Sequence, residues 1–88
     1  MQISKDIIHR EIAGEHILIP NGELALRCNG LYAITELGAE IWEYLKEGKS
    51  VSDIKAVLLE TYDVEEDVLS ADVDEFLQML RKNNLIWD

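Results

Sequence analysis

The sequence predicts an α+β domain in which a three-stranded antiparallel sheet is followed by three helices, in the order β-β-β-α-α-α. Two observations support this class. Runs of apolar and β-branched residues separated by turn residues fill the chain up to residue 34. From residue 35 onward, apolar residues recur at helical spacing in three successive stretches. A chain of 88 residues can build one small core, so residues 1–88 are expected to form a single domain.

Two strands are predicted near the N-terminus, at residues 7–12 and 16–20. The first alternates imperfectly, and the second is rich in β-branched residues, which favour a pleated surface. A tight turn at residues 13–15 joins them, and the Pro-Asn-Gly sequence that begins at Pro20 ends the second strand. These signals predict a hairpin, preceded by a loosely held start at residues 1–6.

The chain between the hairpin and the first helix is predicted to be extended. Leu24 and Leu26 alternate with other residues, which favours an extended connection or a strand extension over residues 23–29. Gly30 then breaks the chain, and the alternating residues 31–34 form the third predicted strand. Together with the hairpin, this strand makes a small antiparallel sheet.

The first of the three predicted helices follows that strand directly. Thr35 offers a hydroxyl that can cap the N-terminus of a helix. The apolar residues that follow at helical spacing are Leu37, Ile41, Trp42 and Leu45. Gly48 ends the helix. Ile41 and Trp42 are therefore expected to be structural residues of the core.

The second and third helices are predicted at residues 51–62 and 64–82. Ser50 can cap the second helix, and Asp63 with Glu66 three residues later can form a capping box for the third. The apolar stripe of the third helix consists of Leu69, Val73, Phe76, Leu77 and Leu80.

The C-terminal end of the third helix also carries a signal. Asn83 and Asn84 can adopt the left-handed conformation that ends a helix. Leu85 is then placed to return an apolar contact to the final helical turn. The last residues are expected to close the domain.

The charge balance argues against several classes of partner. The chain has 18 acidic and 8 basic residues, for a net charge of −10. Nucleic acids and anionic membrane surfaces bind proteins through Lys and Arg, so neither is expected as a partner. The field favours a partner with a basic docking surface, although solubility alone explains the charge equally well. No apolar run reaches the roughly 20 residues of a membrane span and no signal-peptide pattern is present, which predicts a cytoplasmic protein.

No combination of residues in the sequence predicts catalysis. His9 and His16 lack a matched Cys or carboxylate at metal-ligand spacing, and they are interpreted as polar positions on strands. Phosphate-binding and nucleophile-elbow motifs are missing from the sequence, and the serines lack a His partner. Cys28 is the single cysteine, so it is expected to be a small buried or half-buried side chain. These observations predict a binding module that is not an enzyme and uses no cofactor or metal.

Two familiar classes of small binding domain fit less well. A strand that leads into a helix–turn–helix is typical of a winged helix, which is common in DNA-binding proteins. However, the second helix, where a recognition helix would lie, carries Asp53 and Glu60 against Lys55. An acyl carrier presents its modified serine directly after an Asp, and no serine in this sequence follows an Asp. A winged-helix DNA-binding protein and a general protein-interaction adaptor remain the alternatives.

A series of short motifs occurs in order along nearly the whole chain. They are Ile19-Pro20-x-Gly22, the continuous segment from Gly30 to Trp42, Ser50-Val51-Ser52-Asp53-Ile54, Tyr62-Asp63-Val64, Asp72-Val73-x-x-Phe76-Leu77-x-x-Leu80 and Leu85-Ile86. In this order the motifs resemble the PqqD family, named for the chaperone of pyrroloquinoline quinone synthesis. Its members are also known as recognition elements for RiPPs, which are ribosomally made, post-translationally modified peptides. Ile34-Thr35 replaces the family's usual Leu-Asn, and Asn84 stands where Gly is common, but both changes keep the capping chemistry.

The resemblance implies a winged-helix-like domain that binds the leader segment of a precursor peptide. Such a domain delivers the leader to a modifying enzyme, for example a radical SAM maturase or a lasso-peptide protease. The leader would add as a further strand at the sheet edge beside the third helix. An unpaired edge offers N–H and C=O groups that a peptide can satisfy without a fixed sequence.

The residues expected to bind the peptide come from two predicted elements. The strand would supply Leu31, Tyr32, Ala33 and Ile34, and the third helix would supply Asp72, Glu75, Phe76 and Met79. Phe76 also belongs to the apolar stripe of that helix, so plain packing is an alternative role for it.

Overall fold

A computed structural model of the protein describes residues 1–27 and 30–88. Its elements are, in chain order, β1 (Gln2–Ile3), β2 (Ile7–Ile12), β3 (Glu15–Pro20), α1 (Gly22–Arg27), β4 (Tyr32–Ile34), α2 (Glu36–Lys46), α3 (Val51–Thr61), α4 (Glu66–Lys82) and β5 (Ile86–Trp87). The α+β class, the three antiparallel strands and the three long helices after them are as predicted. The structure adds α1 and a second small sheet formed by β1 and β5.

The larger sheet has the order β2-β3-β4 and is built on a tight hairpin. Ala13 and Gly14 form its turn with φ angles of 52° and 82°. Positive φ at both positions is typical of a type I′ turn, whose twist matches that of the flanking strands. The register begins with Ile12 opposite Glu15. The third strand, β4, pairs antiparallel with β3, so that β3 is central and β4 lies at the edge.

Helix α2 packs against β3 and β4, and α4 packs against both α2 and α3. The hydrophobic core consists of Leu18, Ile41, Trp42, Leu45, Ile54, Leu58, Leu69, Val73, Leu77, Leu80, Leu85 and Ile86. Leu18 brings the central strand into this core and is fully buried. Ile41 and Trp42 are 0% and 1% exposed, so both lie in the core as predicted. None of the helices in the described parts of the chain is long and apolar enough to span a membrane.

The predicted starts of α2 and α3 are confirmed by side-chain caps. The Oγ1 atom of Thr35 accepts a hydrogen bond from the N–H of Gly38 at 3.0 Å. The Oγ atom of Ser50 accepts one from the N–H of Asp53 at 3.1 Å. Gly48 follows the end of α2 with a φ of 86°, a conformation that favours glycine. These caps satisfy backbone N–H groups that have no partner inside the helix.

The predicted capping box of α4 is wrong. The helix begins at Glu66, its N-cap is Glu65, and no side chain of the cap bonds to the backbone. Tyr62 is extended and its hydroxyl donates to Oε2 of Glu40 at 2.7 Å, a bond that raises the pKa of Tyr62 to about 12. Residues 62–65 connect α3 to α4, so Asp63 lies two residues before the N-cap position and does not cap the helix.

The segment predicted to be extended before β4 is partly helical. The short helix α1 covers residues 22–27, with Leu24 half-buried and Leu26 87% exposed. Residues two apart share a face in a strand but point in different directions in a helix, so the unequal burial of Leu24 and Leu26 fits α1. In so short a segment, the spacing of apolar residues does not distinguish a helix from a strand, which explains why an extended segment was predicted. Cys28 and Asn29 lie outside the described residues, so the buried or half-buried Cys28 side chain stays a prediction.

The N-terminal residues were predicted to be loosely held, and this is wrong. Strand β1 pairs antiparallel with β5, with Ile3 opposite Ile86. The N–H of Ser4 also donates to the carbonyl of Leu85 at 2.9 Å. Local patterns did not reveal β1 because its partner lies at the other end of the chain.

The predicted end of the third helix is confirmed. Asn84 has a φ of 62°, in the left-handed region. Leu85 is fully buried, and its N–H donates to the carbonyl of Leu80.

Candidate functional site

The backbone hydrogen bonds of the hairpin follow a fixed alternation. The N–H of Asn21, just after β3, donates to the carbonyl of Asp6 at 2.7 Å. Bonded and non-bonded pairs alternate along antiparallel strands, so the next pair, Ile7 with Pro20, is non-bonded. This position suits proline, which has no N–H. It follows that every second residue of β3, counted from His16, directs its backbone groups away from β2 and toward β4.

Ala33 is the residue of β4 whose backbone faces the open edge of the sheet. His16 and Leu18 pair with Ile34 and Tyr32. By the same alternation, these two pairs exchange the hydrogen bonds between β3 and β4. The N–H and C=O of Ala33 therefore point away from β3, on a side where no strand pairs with β4 in the described residues.

An apolar groove of about 530 Å³ lies between this edge and α4. Its lining consists of Ala33, Ile34, Thr35, Leu37, Gly38, Ile41, Asp72, Glu75, Phe76 and Met79. Asp72 and Glu75 are exposed, whereas Phe76 and Met79 are half-buried. The groove thus has an apolar interior and two carboxylates on the helix that forms its wall.

Helix α4 runs along the groove in the direction opposite to β4. The hydroxyl of Tyr32, at the start of β4, donates to Oδ1 of Asn83 at the end of α4, at 3.4 Å. Beyond the other end of β4, Gly38 lies against the ring of Phe76, which is in the middle of α4. A segment added at the β4 edge would therefore pass about two turns of α4, between Phe76 and Asn83.

The groove brings together six of the eight residues that the sequence analysis proposed for peptide binding. These are Ala33, Ile34, Asp72, Glu75, Phe76 and Met79. Tyr32 belongs to β4 but does not line the groove, and Leu31 precedes the strand and is 60% exposed. The peptide-binding role of all eight residues stays a prediction.

Four groove residues were not predicted as site residues, namely Thr35, Leu37, Gly38 and Ile41. All of them lie at the start of α2, where sequence reasoning assigned a cap and an apolar stripe. The apolar spacing of Leu37 and Ile41 shows that they share a face of the helix. It does not show that this face also borders an open edge.

A separate cluster of titratable side chains lies between the hairpin and α2. His9 Nδ1 is 2.7 Å from Glu43 Oε2, and His9 Nε2 is 3.0 Å from His16 Nδ1. The hydrogen bond from His9 holds the pKa of Glu43 below its usual value, against the smaller opposing effect of burial. Both imidazoles lie on strands and are half-buried. Among the described residues, no group of three or more His, Cys, Asp or Glu is arranged to hold a metal ion.

The bond between His9 and Glu43 predicts a pH dependence of stability. Because the pKa of Glu43 is lowered in the folded state, the bond stabilises the protein above the ordinary pKa of 4.5. That contribution is lost as the pH falls through the lower, folded-state pKa. The Glu43 side chain is 47% exposed, so we expect an effect below about 1 kcal/mol.

The measurement is a series of thermal melts of wild type and Glu43→Gln between about pH 6 and pH 3. We expect the melting temperature of the wild type to fall more steeply on acidification than that of Glu43→Gln. Glu47→Gln removes one charge near the same end of α2 and serves as the control. Equal slopes for all three proteins would contradict a role for the bond.

Comparisons with known proteins agree with this architecture. The model of the family described as Coenzyme PQQ synthesis protein D (PqqD) matches residues 15–86. No curated protein matches the chain in sequence. Two solved structures have similar folds. One is described as TbiB1 in complex with the TbiA(beta) leader peptide, with 24% identity, a TM-score of 0.79 and 100% coverage of both chains.

The second structure is described as lasso peptide synthetase B1 complexed with the leader peptide. It has 17% identity and a TM-score of 0.79, and the match covers 99% of this chain and 96% of that chain. At such identities these two structures show a shared fold. The family match runs from the first residue of β3 to the first residue of β5 and includes every element of the groove. The chain therefore belongs to the PqqD family.

Proposed function

We propose that the protein binds the leader segment of a ribosomally synthesised precursor peptide as an added strand at the β4 edge. The observation that carries this proposal is the outward-facing N–H and C=O of Ala33 beside an apolar groove. Membership of the PqqD family supports it. So does the fold shared with two proteins whose structures contain leader peptides.

The geometry suits an antiparallel peptide strand. A peptide residue opposite Ala33 exchanges two hydrogen bonds with it, and these bonds do not depend on the peptide's side chains. The neighbours of that residue on either side point toward the helix-covered face of the sheet, as Tyr32 and Ile34 do. Their side chains enter the groove, where burial of apolar area adds affinity.

Charge favours a leader with basic residues. Asp72 and Glu75 lie in the groove wall, and the whole chain carries a net charge of −10. A negative field raises the association rate of a positively charged segment and disfavours acidic competitors. The acidic surface thus contributes mainly to the rate and the choice of partner, while the edge and the groove supply affinity.

The bound leader is delivered to a modifying enzyme, and the protein itself catalyses no reaction. In this proposal residues 1–88 act as a single domain in the cytoplasm, where precursor peptides are synthesised. A radical SAM maturase and a lasso-peptide protease are the two enzyme classes that we consider. The genes beside the coding sequence distinguish them, because a short precursor reading frame next to one of these enzymes identifies the pair.

A chemical-shift map tests the proposed function. The isotope-labelled protein is titrated with the leader of the precursor encoded beside its gene. We expect the largest shifts at residues 32–35 and along the groove-facing side of α4. Shifts centred on α3, with the β4 edge unchanged, would overturn strand addition.

Two substitutions in the groove wall are expected to weaken leader binding without disturbing the sheet. Asp72→Lys reverses a charge, and Met79→Lys places a charge in an apolar wall. For a leader with basic residues we expect each to cost about 1 kcal/mol or more, which is roughly fivefold in Kd. Calorimetric titration measures this loss. Gln78→Lys is the matched control, because Gln78 is exposed on α4 but does not line the groove. An equal loss in the control would assign the effect to net charge.

A further inference from the structure

Gly38 lies in the floor of the groove, directly beneath the ring of Phe76. A Cβ atom added at position 38 would stand 2.8 Å from Cε1 and 3.2 Å from Cδ1 of that ring. The distance of 2.8 Å is shorter than the separation of two carbon atoms in van der Waals contact. The ring of Phe76 therefore occupies the space that any side chain at position 38 would need.

The backbone does not explain why this position is glycine. Gly38 lies within α2 and has no positive φ, unlike Gly14 and Gly48. Within a helix, glycine in place of alanine lowers stability by about 0.5–1 kcal/mol. The close approach of the Phe76 ring is the structural feature that only glycine accommodates here.

We propose that Gly38 determines the size of the side chain that the groove admits, and that the groove takes leaders with a large apolar residue at one position. This inference rests on the proposed function. With no side chain at position 38, the Phe76 ring lies back against α2. The space between the ring and the β4 edge then stays open for a side chain of the peptide.

The surroundings of Phe76 determine where the ring moves when position 38 is enlarged. Its neighbours on α4, Val73 and Leu77, are 0% and 2% exposed and belong to the core. Close-packed interiors leave no room for a displaced ring, so the ring moves outward. In that direction lies the groove, which becomes narrower. A Cβ at position 38 therefore acts on the groove through Phe76.

The affected peptide position follows from the register. The peptide residue opposite Ala33 points to the uncovered face of the sheet, so its side chain does not enter the groove. The next residue, opposite Ile34, points inward toward the part of the groove formed by Gly38 and Phe76. One residue of the leader is thus selected for size, and its large apolar side chain is complementary to an interior formed by the half-buried Leu37 and Phe76.

A displayed library of random peptides about 15 residues long tests this inference. It is selected in parallel against wild type, Gly38→Ala, Phe76→Leu and the double variant. Wild type is expected to enrich peptides with a large apolar residue at one fixed position. The quantity measured is the affinity of a selected peptide divided by the affinity of the same peptide with Ala at that position. Gly38→Ala should reduce this ratio about tenfold, which is the effect of one methylene group on binding in an apolar pocket.

The double variant Gly38→Ala/Phe76→Leu is the control that separates groove shape from general damage. Leucine lacks the ring atoms that collide with the new Cβ, so the double variant should recover preference for the large residue. Melting temperatures show that each variant is folded, and alanine is itself favourable in a helix. An unchanged ratio in Gly38→Ala, or no recovery in the double variant, overturns the inference. If wild type binds peptides with no size preference, the role of Gly38 is overturned but the proposed function stands. If wild type selects no peptide at the β4 edge, the proposed function is overturned as well.

Discussion

Trp42→Ala is expected to unfold the domain or to lower its melting temperature sharply. The Trp42 side chain is 1% exposed and is the largest of the fully buried side chains. Truncating a buried Trp typically costs about 3–5 kcal/mol. Small domains have total stabilities of about 5–15 kcal/mol, so this loss removes a large share of what holds the fold. Circular dichroism during heating and guanidinium unfolding measure the effect.

Trp42→Phe is the matched control for this experiment. The indole Nε1 of Trp42 is buried and has no hydrogen-bond partner among the described residues. Phenylalanine keeps an aromatic ring in the core and removes this unpaired N–H, so we expect it to retain much more stability than alanine. A Trp42→Ala protein that melts like wild type but no longer binds the leader would show that Trp42 contacts the peptide.

Features that depend on neighbouring residues could be predicted from the sequence. Thr35 and Ser50 cap their helices through N–H groups three residues away, and the hairpin turn at Ala13 lies between strands that flank it directly. The resemblance implied that Asp72, Phe76 and Met79 form a groove wall, and their spacing of four and three residues places them on one side of α4, where the groove lies. In each case the interaction that determines the structure spans a few residues.

Features that depend on distant segments could not be predicted in the same way. The pairing of β1 with β5 joins the two ends of the described chain. The identity of the outward-facing residue of β4 depends on the register of both strand pairs, which a local pattern leaves open by one residue. The role of Gly38 depends on a ring that belongs to another helix. The resemblance therefore indicated the region where the groove lies, but the geometry of the groove required the packing of α2, β4 and α4.

Ala33→Pro is expected to weaken leader binding strongly or abolish it. The register makes Ala33, not Tyr32, the residue whose N–H faces the open edge. Proline removes this donor, and a carbonyl of the peptide then stays unpaired at a cost of about 1–3 kcal/mol. The proline ring also occupies the side from which the peptide strand approaches. Together these effects should weaken binding by at least about tenfold.

The fold should tolerate this substitution, because proline is accepted on edge strands when its nitrogen faces away from the ladder. Tyr32 precedes the new proline and is already extended, the conformation that a residue before proline requires. Ala33→Val keeps the N–H and favours a strand, so it is the control expected to bind. Far-UV circular dichroism and a thermal melt of both variants accompany the titrations. A folded Ala33→Pro protein that binds the leader as wild type does would show that the backbone of the β4 edge does not carry the interaction.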